Sequence, residues 1–490
     1  MFFTKPPSAC LATSAISCVA FLLSAFVAFA GATNAPAGGA VNQMPLSVVD
    51  GGEATSLSDL VCEYFQTSDE ANRARLASLI ESSAKGDLLA VARAVRDVQL
   101  WPALPHASGV LDVSSPLTNE ATFALELPDG YDPAQRYPVI VCFAGRPFAP
   151  SVAIDQAKQT FRGIEGDYVL LAPDDTVSPA FHMPPETSGR FVAAMRQARR
   201  IVHMDTDRVF AFGEGKGADS AWMAAIAHPD LFAGLIALDG YPKVPYPEQL
   251  YPLLIENLRS TPVFMSWRRP PESVVPGGMN RTGRISRTEA HCRVIAELAD
   301  RLALPFTAHR VSVTDDGDGL SALILRDAAA ILHHKRDSSP HPQHKWFRYP
   351  GQGSMGWVRH TGFRIPPWQA EQLSIVASPT VDYNEFVTGV IKSKLAHLSA
   401  RIDGQTITID TRRCDGVDVF LEEGAVDFDK PVTIICNGRR RCEKLLEPSI
   451  ATLLAAAYDN WEFQRLWSVR VSLSIRADMK TKRADRPATK

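Results

Sequence analysis

Several stretches of this sequence are apolar without a polar face. Pro138-Val139-Ile140-Val141-Cys142-Phe143 and Tyr168-Val169-Leu170-Leu171-Ala172-Pro173 are the longest, followed by Val209-Phe210-Ala211-Phe212, Leu235-Ile236-Ala237-Leu238 and Pro262-Val263-Phe264-Met265. A strand with one wet face alternates in polarity, whereas a strand covered on both sides does not. Between and after these runs lie helical patterns over Arg190 to Val202, Ala218 to Ala227, Thr288 to Leu302 and Ser321 to His333, with one more strand from Ala308 to Val313. Strand and helix in alternation, with strands of this kind, predict an α/β fold: a mostly parallel sheet flanked by helices over residues 118–335.

The rest of the chain divides around that unit. Residues 1–30 hold a single charge, Lys5, then an apolar run closing on Ala28-Phe29-Ala30. This is the pattern of a secretory signal peptide, with an uncleaved anchor as the alternative. It places the protein outside the cell or in the periplasm. No later run reaches the roughly 18 apolar residues of a membrane span. Residues 31–57 are rich in Gly, Ala and Pro and read as a linker. Residues 58–117 carry apolar positions at three- and four-residue spacing, with Asp69, Ser83 and Asp87 as caps or breaks, so two or three short helices are expected.

Beyond a Pro/His/Ser stretch, residues 336–475 read as a β-rich domain. Thr406-Ile407-Thr408-Ile409 alternates, Val417 to Leu421 is a further strand, and Val432 to Cys436 turns through Asn437-Gly438 into a hairpin. Pro448 to Phe463 reads as a helix, and Val469, Val471, Leu473 and Ile475 as a last strand. The tail 476–490 is basic and without predicted structure.

Composition removes several function classes. Of 490 residues, 21% are charged and the net charge is -3. That balance argues against intrinsic disorder and against a nucleic-acid binder. Six cysteines follow residue 30: Cys62, Cys142, Cys292, Cys414, Cys436 and Cys442. Export permits disulfides, yet six in this length make no disulfide scaffold. A local bridge between Cys436 and Cys442 and free thiols both remain open. No paired CxxC suggests zinc, and His333, His334, His341 and His344 fit a polar linker better than a metal site. Gly213 to Lys216 departs from a phosphate loop in spacing, and no Ser or Thr follows Lys216. No cofactor and no metal is therefore expected.

One segment carries the chemistry. Asp205-Thr206-Asp207-Arg208-Val209-Phe210-Ala211-Phe212 runs into Gly213-Glu214-Gly215-Lys216-Gly217, with Ala221-Trp222 in the next helix and His228-Pro229-Asp230-Leu231-Phe232-Ala233 before the next strand. Upstream stand Leu127-Pro128-Asp129-Gly130-Tyr131 and Tyr137-Pro138-Val139-Ile140. Together these resemble the α/β-hydrolase fold over residues 120–335, in its esterase, phospholipase/carboxylesterase and polyhydroxybutyrate-depolymerase-like branch.

The resemblance implies a Ser on a strained strand-to-helix turn, a His to take its proton, an acid to orient the His, and an oxyanion hole. Gly215 occupies the Ser position and offers no oxygen. Asp318 matches the His position, within Thr314-Asp315-Asp316-Gly317-Asp318-Gly319. Glu272 fits the acid if one residue is inserted. Ser220 falls inside the helix as a small packing residue. Gly145 survives from the oxyanion segment, followed by Arg146. With Lys216, Trp267, Arg268 and Arg269, these line an expected cleft for an acidic ligand. Gly353-Ser354-Met355-Gly356 is half an elbow with no strand before it.

The sequence thus predicts an exported hydrolase-fold protein that has lost its catalysis and binds a small molecule, ester or glycan. The alternatives are an active carboxylic-ester hydrolase using non-standard residues, or a surface-binding protein acting through residues 345–475.

Overall fold

The computed structural model describes residues 55–102, 104, 111–114, 122–145, 148–174, 185–269, 286–312, 318–336, 342–363 and 382–475. The expected signal segment, most of the linker and the basic tail lie outside the described residues. So do Arg146, Glu272, His341 and the acidic loop before Asp318.

Three helices come first: α1 (Leu57–Gln66), α2 (Glu70–Ser83) and α3 (Leu88–Arg96). Each begins at a residue that accepts from an otherwise unpartnered N–H of the first turn. Ser56 Oγ accepts from Asp59 N at 3.2 Å, Asp69 Oδ2 from Asn72 N at 2.8 Å, and Asp87 Oδ1 from Ala90 N at 3.0 Å.

The central sheet comprises β1 (Leu111–Ser114), β2 (Thr122–Glu126), β3 (Tyr137–Phe143), β4 (Val169–Pro173), β5 (Met204–Glu214), β6 (Gly234–Leu238), β7 (Val263–Arg269) and β8 (Phe306–Ser312). Their spatial order is β1-β2-β4-β3-β5-β6-β7-β8. β1 and β2 pair antiparallel, β2 joins β4 antiparallel, and every pairing from β4 to β8 is parallel. The interleaved helices are α4 (Pro150–Thr160), α5 (Pro185–Ile201), α6 (Lys216–Ala227), α7 (Pro247–Leu254), α8 (Arg287–Arg301), α9 (Asp318–Leu323) and α10 (Ala329–Leu332). A π-turn over Ile324–Ala328 joins the last two.

Both faces of the sheet are covered, as the apolar runs require. Val139, Val141 and Phe143 point into a core shared with α5, α6, α7 and α8. Ile140 and Cys142, one residue out of phase, point into a second core with α4, α9 and α10. The side-chain period of two thus sends one strand into two cores.

After α10 the chain builds two further sheets. The elements are β9 (Gln343–Phe347), β10 (Ser354–Met355), β11 (Val358–Phe363), α11 (Tyr383–Lys394), β12 (Ala396–Asp403), β13 (Thr406–Arg412), β14 (Cys414–Leu421), β15 (Val432–Cys436), β16 (Arg439–Lys444), α12 (Ile450–Asn460) and β17 (Val469–Ser474). One sheet has the order β16-β15-β13-β12-β9 and the other β10-β11-β14-β17. Leu398, Ile407 and Ile434 of the first share a core with Val358, Val417 and Val419 of the second, so the two face each other. The β15–β16 turn uses Asn437 (φ 50°) and Gly438 (φ 72°), as a two-residue hairpin loop demands. Cys436 and Cys442 stand on the two strands of this hairpin with no disulfide between them.

Two helices of this region pack outside the paired sheets. Val387 and Ile391 of α11 join the core under α7 and α8. Ile450, Leu453, Leu454 and Ala457 of α12 close the core of α1–α3, together with Trp461 and Phe463.

Candidate functional site

β5 ends at Glu214, and α6 begins at Lys216. Gly215 between them has φ 57° and ψ -117°, a conformation that L side chains rarely adopt. Its N–H donates to Leu238 O at 2.8 Å, and its carbonyl accepts from Asp219 N at 3.3 Å. The turn is fixed by how closely the backbones approach. A Cβ on Gly213 would meet the Gly217 carbonyl at 2.3 Å, one on Gly217 would meet Phe143 O at 2.0 Å, and one on Gly145 would meet Gly217 N at 2.6 Å. A Cβ on Gly215 would meet nothing within 4 Å. The flanking glycines are therefore demanded by packing, while the central one faces open space where a side chain would fit. The strand order, with antiparallel β2 and this sharp β5–α6 turn, decides the fold.

The chain has the α/β-hydrolase fold. No protein-family model matches the sequence, and no curated protein matches it. Among solved structures it is similar to a thermostable esterase, with 15% identity and a TM-score of 0.34 over 46% of this chain. The match spans 63% of that esterase. It is also similar to the protein Est1E of Butyrivibrio proteoclasticus (10% identity, TM-score 0.32, 46% of this chain and 99% of that one). An S-formylglutathione hydrolase of Staphylococcus aureus matches at 11% identity and a TM-score of 0.34, over 48% of this chain and all of its own length. At these values the fold assignment rests on the strand order and the turn at Gly215.

Around the hydrolase-fold elbow, charge is internally compensated. Arg268 pairs with Glu214 at 3.0 Å, and its N–H donates to Asp239 Oδ1 at 3.3 Å. Asp219, buried in the first turn of α6, pairs with Lys243 and accepts from Tyr241 N at 3.0 Å. Arg310 of β8 pairs with the buried Glu289 at 2.6 Å. The Cys292 thiol donates to Gly240 O at 3.5 Å, and burial pushes it up to about 12, so it holds no thiolate at neutral pH. His291 stacks on Tyr241 with ring centroids 4.4 Å apart and meets Tyr251 Oη at 3.0 Å. His309 is tied to Asp327 at 2.6 Å.

The sequence-derived site residues fare differently. Gly145, Gly215 and Lys216 meet at the elbow, with the Lys216 side chain exposed. Arg268 lies at the same rim but is matched by Glu214. Trp267 is not a wall of a cleft: it is 6% exposed and belongs to the core with Val263 and Met265, its neighbours in the strand's period of two. Asp318 is not in a loop but is the first residue of α9. Ser220 is fully buried in α6. His344 faces Glu256 at 3.3 Å and His397, and no group of His, Cys, Asp or Glu among the described residues is arranged to hold a metal. Among the described residues, no helix is long and apolar enough to cross a membrane.

Cavities lie at the opposite edge of the sheet, where α5 and α6 end. One of about 280 Å3 is bounded by α5, the turn after α6, and residues around β10 and β11. Nothing in the sequence singled out its charged residues, because they come from segments far apart in the chain.

Proposed function

We propose that the protein is a non-catalytic hydrolase-fold protein that acts by binding. The observation that carries this is Gly215. The elbow backbone, its close-packed glycines and the open space for a side chain are all kept, and the attacking oxygen is missing. Acyl transfer through this turn needs a hydroxyl or thiol there. A water-only route would still need a base, and the sequence offers Asp318 where a histidine belongs. The imidazoles of His291 and His309 are engaged by Tyr251 and Asp327. The fold would serve as a scaffold for a small molecule, ester or glycan, in a compartment outside the cell reached through the segment 1–30.

The test uses the full-length chain. Neither p-nitrophenyl acetate turnover above the solution rate nor covalent labelling by a fluorophosphonate is expected. A labelled serine, with turnover abolished when that serine is changed to Ala, would establish the active-hydrolase alternative instead. N-terminal sequencing of the exported protein should begin just after Ala30.

A further inference from the structure

The cavity at the far edge of the sheet is lined by three guanidinium groups and a single carboxylate among the described residues: Arg196, Arg199, Arg359 and Asp230. Its imidazoles add no charge, since burial lowers His228 to about 3 and His360 to about 4. Arg199 is 6% exposed, and its Nε and Nη2 meet no acceptor; only its Nη1 is engaged, by Asn460 O at 3.1 Å, with Glu462 4.0 Å away. Arg359 is held with its guanidinium carbon 5.0 Å from the Phe420 ring centroid, and its charge opposes that of Arg196. Arg199 is buried, Arg359 half-buried and Arg196 exposed; Glu462 and Asp230 offset the charge of Arg199 and Asp459 that of Arg196, but a buried guanidinium with two donors idle is still costly. The idle donors of Arg199, beside the mutually repelling Arg196 and Arg359, suit an oxyanion, which a guanidinium fork binds through two parallel hydrogen bonds.

We infer that this cavity, walled by Arg196, Arg199 and Arg359 at the edge opposite the elbow, is a binding site for a small oxyanion-bearing metabolite, a phosphate ester or a polycarboxylate. The volume of about 280 Å3 lies just under the range of roughly 300–1,000 Å3 that takes drug-sized ligands, which sets the size class. Val192, Met195 and Leu231 supply an apolar wall for the carbon skeleton. The inference stands whether or not the elbow is catalytically silent, because the two sites share no residue.

The test is calorimetric titration of the full-length protein with inorganic phosphate and, separately, with citrate, at ionic strength held constant by sodium chloride. Saturable one-site binding of at least one anion is expected, and which one binds separates the phosphate from the carboxylate source. Arg359→Gln and Arg196→Gln, both lying outside the buried ion network, should each weaken it by about tenfold, the loss of one charge-assisted contact. Arg326→Gln, which removes an exposed arginine elsewhere, should leave it unchanged. Absence of saturable binding by either anion overturns the inference. Binding that survives Arg359→Gln and Arg196→Gln, or that Arg326→Gln weakens equally, does the same.

Discussion

The ammonium of Lys345 on β9 donates to the carbonyl of Ala227, the last residue of α6, at 2.8 Å, and to Ser354 O at 3.0 Å. Lys345 is completely buried. It thus caps the end of the hydrolase helix with a cation, where the helix dipole favours one, and ties that helix to the paired sheets. Burial pushes its pKa from an ordinary 10.5 down to about 8, only partly opposed by Asp230. Below pH 8 both folded and unfolded chains carry the proton and the cost of burying it is full. Between pH 8 and 10.5 the folded chain has released it and the unfolded chain has not, so stability rises with pH there. Chemical denaturation should show this rise in the native protein and not in Lys345→Met. Equal slopes would show that Lys345 is not buried as a cation.

Gly215 and Gly217 are separated by one residue and should respond to substitution in opposite ways. Gly215→Ser meets no atom, so its cost is backbone strain alone, about 1 kcal/mol. The folded variant should hydrolyse no p-nitrophenyl ester. Gly217→Ala drives a methyl onto Phe143 O and should cost several times more, leaving little folded protein. Urea melts of the two variants check the order; ester turnover by Gly215→Ser would mean that a competent base stands nearby.

Acid should unfold this protein early. Burial lowers His203, His360 and His397 to about 4 and His228 to about 3, from an ordinary 6.5. The unfolded chain therefore binds more protons than the folded one between about pH 6.5 and 4, and stability falls as pH drops through that window. Melting temperatures measured across it should decline steeply, and His360→Gln should make the decline shallower. A flat profile down to pH 4 would contradict the burial of these rings.

Glu462 stands between the hydrolase sheet and the segment after α12. It accepts from Thr206 Oγ1 at 2.5 Å and pairs with Arg336 at 3.5 Å and, more loosely, with Arg199. Burial raises its pKa, but the two arginines and Thr206 outweigh that and hold it below the usual glutamate value. Glu462→Ala leaves both guanidinium groups without this carboxylate and should cost roughly 3–5 kcal/mol. Equilibrium denaturation gives the value; a loss under about 1 kcal/mol, the level of an exposed pair, would mean that the network is solvated.

The hydrolase sheet was legible because covered parallel strands write themselves as unbroken apolar runs, and because Gly213, Gly215 and Gly217 stand at a spacing only a tight turn requires. Gly215 was readable for the same reason. Trp267 belongs to the core and not to a cleft wall, as its alternation with Val263 and Met265 already implies. The helix predicted from Ser321 starts three residues earlier, at Asp318, because helix starts without a clear cap are the weakest signal in a sequence. β9, β12 and α11 went unread, since Gln343-His344-Lys345 and His397-Leu398-Ser399 carry too few apolar residues to announce strands. The cluster of Arg199, Arg336 and Glu462 is wholly non-local, so no window of sequence contains it.

The union of α12 with α1–α3 has a consequence for how the molecule is made. Tyr458 reaches back to Thr67 O at 3.2 Å, and Phe65 packs edge-on against Phe463 with centroids 4.9 Å apart. On the ribosome, α1–α3 must therefore wait with their greasy sides uncovered until α12 has emerged. A chain cut before residue 450 should therefore leave the apolar faces of α1–α3 exposed and prone to aggregate.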